Sequence, residues 1–107
     1  MKKQTVYISG PVTGFSLDDV KRTFAERERQ LNEAGYIAVN PVALARENVA
    51  AGASWEDFMA FDLTLLADCD LITFLSGWED SRGARLEAGF ARLNGIGVLK
   101  AAPPCGE

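Results

Sequence analysis

Short apolar runs and helically spaced apolar stripes alternate along this chain. Thr5-Val6-Tyr7-Ile8 is β-branched and aromatic and stops at Ser9-Gly10-Pro11, which predicts a buried strand and then a turn. Ser16-Leu17-Asp18-Asp19 has the form of a helix start. Leu17, Val20, Phe24, Leu31 and Ala34 then recur at helical spacing up to Gly35. Tyr36-Ile37-Ala38-Val39 predicts a second strand, ended by Asn40-Pro41. Between 41 and 53 the pattern is ambiguous, with room for a short helix from Val42 to Ala51. Ser54-Trp55-Glu56-Asp57 is another capping pattern, followed by a stripe of Trp55, Phe58, Met59, Leu63 and Leu66. Asp70 to Leu75 is the strongest strand signal, Ser76 to Arg82 a loop, Gly83 to Asn94 a helix, and Ile96–Lys100 a last strand.

Strands alternating with helices predict an α/β domain, three-layered and flavodoxin- or Rossmann-like. Its parallel sheet has four to five strands in the order 2-1-3-4, with helices on both faces. Ligands of such sheets bind at the C-terminal ends of the strands, here the loops Ser9–Phe15, Asn40–Ser54 and Ser76–Arg82. The reading gives one domain over residues 1–100 and a loose tail over 101–107 that contains Pro103-Pro104.

Composition narrows the chemistry. The 107 residues contain no histidine, so any acid–base work falls to carboxylates, hydroxyls or tyrosine. Cys69 and Cys105 lie far apart, which argues against a zinc ribbon or a disulfide framework and fits a reducing cytoplasm. No metal and no cofactor is expected. No run is long enough to span a bilayer. From Glu47 to Asp80 there are eight acids and no Lys or Arg, a stretch that would repel a nucleic-acid polymer.

Two acids stand on the wrong helix faces. Asp62 lies four residues after Phe58 and four before Leu66, inside the apolar stripe. Glu87 lies three after Ala84 and four before Ala91, on the small apolar face of its helix. A buried acid either pairs structurally or serves chemistry. Two carboxylates converging on a crevice are what glycosyl transfer uses.

The ordered set Tyr7-Ile8-Ser9-Gly10, Asp62-Leu63-x-x-Leu66-x-x-Cys69-Asp70 and Ser81-x-Gly83-x-x-x-Glu87-x-Gly89-x-Ala91 resembles the nucleoside 2-deoxyribosyltransferase-like superfamily over residues 5–100. Tyr7 to Pro11, Asn40-Pro41, Trp55 to Asp62 and Gly77 to Ala84 look closest to a branch of small, often phage- or prophage-borne DUF4406-like proteins. The resemblance implies that Glu87 is the nucleophile, Asp62 the acid near sugar and base, and Tyr7 a hydroxyl that orients the glutamate. Ser81, six residues before Glu87, matches the phosphate-binding serine of the 2-deoxynucleoside 5′-phosphate N-hydrolases.

Gly10, Pro11, Thr13, Gly14, Asn40 and Gly83 complete the expected substrate-binding set, with Trp78 and Phe15 as candidate base-stacking aromatics. The loop Gly10-Pro11-Val12-Thr13-Gly14 departs from the hydrolases' Gly-Ser-x-Arg-Gly and lacks its cation. The expectation is therefore N-glycosidic cleavage of a nucleotide or nucleoside with water as acceptor. The alternatives are a deoxyribosyltransferase and a nucleotide-binding module without turnover. A homodimer or higher homo-oligomer is implied as well.

Overall fold

A computed structural model describes residues 2–100. The expected tail, 101–107, and Cys105 within it lie outside the described residues. Four strands, β1 (Thr5–Ser9), β2 (Ile37–Val39), β3 (Leu71–Phe74) and β4 (Gly97–Val98), form a parallel sheet in the order β2-β1-β3-β4. Four helices accompany them: α1 (Leu17–Glu33), α2 (Pro41–Asn48), α3 (Trp55–Ala67) and α4 (Arg82–Leu93). The expected α/β class and strand order are those observed.

The period of two along β1 sorts its side chains between two cores. Val6 and Ile8 pack with Val20, Phe24 and Leu31 of α1. Tyr7 packs on the opposite face with Leu66 of α3, Ala91 of α4 and Ile72 of β3. β1 is thus covered on both sides, which explains why it reads as a continuous apolar run rather than an alternating one. The start of β1 is clamped to β3: the Thr5 amide donates to the Asp70 carboxylate and the Asp70 amide to the Thr5 carbonyl, both at 2.9 Å.

Each long helix starts on a polar cap that satisfies otherwise unpaired amides. Ser16 accepts from the Asp19 amide, Ser54 and Asp57 form a reciprocal capping box, and Ser81 accepts from the Ala84 amide. Asn40 caps α2 by accepting from the amides of Val42 and Ala43, with Pro41 at the first helical position. This cap defines a helix over the stretch whose periodicity was ambiguous. The last strand is shorter than its pattern suggests: only Gly97 and Val98 pair, because β4 has a neighbour on one side alone. Leu17, assigned to the apolar stripe of α1, is 60% exposed, since the first turn of α1 projects past the sheet.

Gly10 follows β1 where the backbone passes close to Leu75, and a Cβ there would lie 2.7 Å from the Leu75 Cβ. Gly10→Ala is expected to destabilise the fold by about 2 kcal/mol, the usual cost of overpacking, as read from urea unfolding. Gly83 likewise admits Met59, whose sulfur would be 3.2 Å from an added Cβ. Gly89 differs: it sits inside α4, where glycine costs about 1 kcal/mol relative to alanine, and nothing lies within 4 Å of where its Cβ would be.

Candidate active site

The site forms where the chain reverses direction across the sheet. From β1 the chain moves to β2 on one side, and from β3 to β4 on the other. A crevice opens at such a switch point, at the C-terminal ends of the strands. Tyr7 and Ser9 are two residues apart on β1 and face the same side, toward α3 and α4. These helices pack against each other, and right-handed crossovers start both of them at the ligand edge. Glu87 of α4 and Asp62 of α3 point into the space between them.

Glu87 is the centre of the arrangement. The Tyr7 hydroxyl donates to its Oε2 at 2.6 Å, and the Ser9 hydroxyl donates to its Oε1 at 2.6 Å. Asp62 adds a hydrogen bond to the same carboxyl. Tyr7 and Ser9 are almost fully enclosed, and Glu87 is 5% exposed. Burial raises the Glu87 pKa, while the hydrogen bonds from Ser9, Tyr7 and Asp62 pull it down. Asp62 has no such support. Burial first, then the charge of Glu87 and the hydrogen bond to it, push Asp62 up to about 8. Two carboxyls in contact share one proton, and here Asp62 holds it. Two hydroxyls already stabilise negative charge on Glu87, and the protonated Asp62 becomes its third O–H donor. The Tyr7 phenol is also raised, by burial and then by the charges of Glu87 and Asp62, so it stays a donor.

Tyr7→Phe keeps the ring and removes one of those donors. The Glu87 pKa should rise further, so the variant should lose about 1–2 kcal/mol at pH 8 and less at pH 4, where the carboxyl is protonated in both states. Thermal unfolding at the two pH values checks this.

The structure brings Tyr7, Asp62 and Glu87 together as expected and adds Ser9, which a serine at a strand end does not announce. Ser81 caps α4 one turn before Glu87. Pro11 approaches Gly77, its Cγ 3.8 Å from where a Cβ would stand, so the loops following β1 and β3 adjoin at the mouth. Thr13 and Gly14 lie on the exposed outer part of the first of these loops. Arg82 lies 4.2 Å over the Trp55 ring, joining the first residues of α3 and α4.

Other expected binders are committed elsewhere. The Asn40 side chain caps α2 and donates to Glu28 at 3.0 Å. Trp78 stacks on Phe74 with ring centroids 4.3 Å apart, and walls an open groove of about 570 Å³ with Ala88, Arg92 and Val98. Gly10 and Gly83 make room for Leu75 and Met59, which accounts for them without a ligand. The Cys69 thiol, pushed up to about 11 by burial and then by Asp68 and Asp70, donates to the Leu65 carbonyl and is not a ready nucleophile.

Among the described residues no three His, Cys, Asp or Glu side chains converge as metal ligands would, and no helix is long and apolar enough to cross a membrane. The pair therefore offers a held carboxylate and an adjacent carboxylic acid, poised on either side of neutral pH. No curated protein matches this chain. The chain belongs to the family described as a domain of unknown function, DUF4406, which it matches over residues 4–100.

Proposed function

We propose that this DUF4406 protein cleaves the N-glycosidic bond of a nucleoside 5′-monophosphate or nucleoside, with Glu87 as nucleophile and water as acceptor. The observation that carries the reading is the buried Asp62–Glu87 pair, with Glu87 held ionised by Tyr7 and Ser9. The resemblance of the Tyr7, Asp62 and Glu87 motifs to the nucleoside 2-deoxyribosyltransferase-like superfamily supports it.

The steps balance as follows. A Glu87 oxygen attacks the anomeric carbon, the bond to the base nitrogen breaks, and its electron pair leaves with the base. Asp62 gives its proton to that nitrogen, for which a pKa of about 8 suits it at neutral pH. Water then attacks the glycosyl ester, Asp62 takes the proton that the water loses, and Glu87 departs as carboxylate. The two carboxyls touch, closer than the roughly 5 Å of enzymes whose acid works from across the sugar ring. Asp62 therefore leaves Glu87 and turns toward the base as the ester forms, when the carboxylate charge that held it is gone.

Binding without turnover is the second reading. It is favoured by the burial of Glu87 and by the engagement of both its oxygens. Incubation with each ribo- and deoxyribonucleoside and its 5′-monophosphate, followed by chromatography for free base, separates the two. Base release that depends on Glu87 supports cleavage. Saturable binding without release refutes it in favour of the second reading, and neither binding nor release refutes both.

A further inference from the structure

We propose that the outer face of α4 is the contact surface of a homodimer, in which two copies of the helix pack antiparallel across Gly89. This inference is independent of the reaction assigned to Glu87. Leu86, Gly89, Phe90 and Leu93 occupy positions i, i+3, i+4 and i+7, one continuous stripe turned away from the Ala84–Glu87–Ala91 face that meets the sheet. Leu86 is 48% exposed and Leu93 is 86% exposed, so the stripe is apolar and uncovered in the single chain.

Gly89 supplies the second observation. Gly10 and Gly83 each have a neighbour within the chain that excludes a Cβ, whereas Gly89 faces open space in the middle of a helix. Nothing inside the domain accounts for a residue that weakens the helix at this position. A second helix crossing here does, because the missing side chain lets two backbones approach closely.

The stripe also selects its partner. Its spacing reads the same in both directions: an antiparallel copy sets Leu86 against Leu93 of the other subunit and Gly89 against Phe90, as an isologous contact requires. The same geometry brings the exposed Arg85 beside the other helix's C-terminal end, where free carbonyls carry partial negative charge. A parallel copy would place like helix ends together and lose that match. The stripe thus fits a second copy of this chain.

Sedimentation equilibrium at concentrations up to about 100 µM tests the proposal, a range that detects dissociation constants well above micromolar. The expected mass is twice the 11.6 kDa of one chain. Leu93→Lys alters a residue that is almost fully solvent-facing, so its folding is not at risk. Gly89→Gln puts a helix-forming side chain into open space, so the monomer should melt no lower than the wild type. Each variant should weaken association by about tenfold or more. A wild type that stays monomeric throughout the range overturns the proposal. A dimer that both variants leave intact, with circular dichroism showing them folded, overturns it equally by placing the contact on another face.

Discussion

Glu87→Gln is expected to lower base release by about 10³-fold or more, the scale on which removal of a covalent nucleophile acts. The substitution keeps the shape of the side chain and removes its charge. It also reverses part of the hydrogen bonding. Tyr7, Ser9 and Asp62 all offer O–H groups to the glutamate, and an amide nitrogen would present hydrogens back to one of them. A donor left facing a donor in this enclosed setting should cost about 1–3 kcal/mol of stability besides the rate. Glu87→Asp retains the charge but withdraws it by one methylene, and should keep more stability than activity. Intact mass after rapid quenching gives a readout beyond the rate: the wild type should carry a transient glycosyl adduct that maps to the peptide containing Glu87. Base release near the wild-type rate in Glu87→Gln would remove Glu87 from the chemistry altogether.

Asp62→Asn should do the opposite to the fold. The native Asp62 pKa, about 8, is far above the ordinary carboxylate value of 3.8, so the folded chain holds a proton that the unfolded chain releases. The penalty is absent below about pH 4, where both states are protonated. It grows as pH rises between the two values and levels off above pH 8. Asparagine is neutral at every pH and can still donate to Glu87. The variant should therefore be more stable than the wild type by about 2–3 kcal/mol at pH 8, raising the melting temperature by roughly 10 °C, with little difference at pH 4. The same variant cannot deliver a proton to a leaving base, so it should lose turnover while gaining stability. That trade is expected of residues retained for chemistry rather than for packing. Equal melting temperatures at pH 8 would show that Asp62 is not the member of the pair that holds the proton.

The two acids were legible because helical periodicity made them errors: a carboxylate between Phe58 and Leu66, or between Ala84 and Ala91, contradicts the face it occupies. Strand order followed from the alternation of patterns. Ser9 was not legible. A serine before Gly10-Pro11 reads as turn chemistry, and only the twist that swings β1 under α4 gives its hydroxyl a partner. The helix α2 was hidden because its eight residues span barely two turns, too few for a stripe, although Asn40-Pro41 is a strong start signal. Trp78 shows the reverse difficulty. An aromatic in a crevice loop suggests a base-stacking surface, yet its ring stacks on Phe74, a tertiary pairing that spacing alone does not reveal.

The hydrogen bonds that hold Glu87 join residues 78 and 80 positions apart. During synthesis, β1 leaves the ribosome long before α4 exists, and its tyrosine and serine hydroxyls must stay hydrated until that helix arrives. The strand cannot settle dry between its two cores earlier without stranding both groups. Docking of α4 thus acts as the keystone of the nascent domain, and the polar knot that holds the carboxylate doubles as a proofreading step, closing only around a chain that has reached its native register.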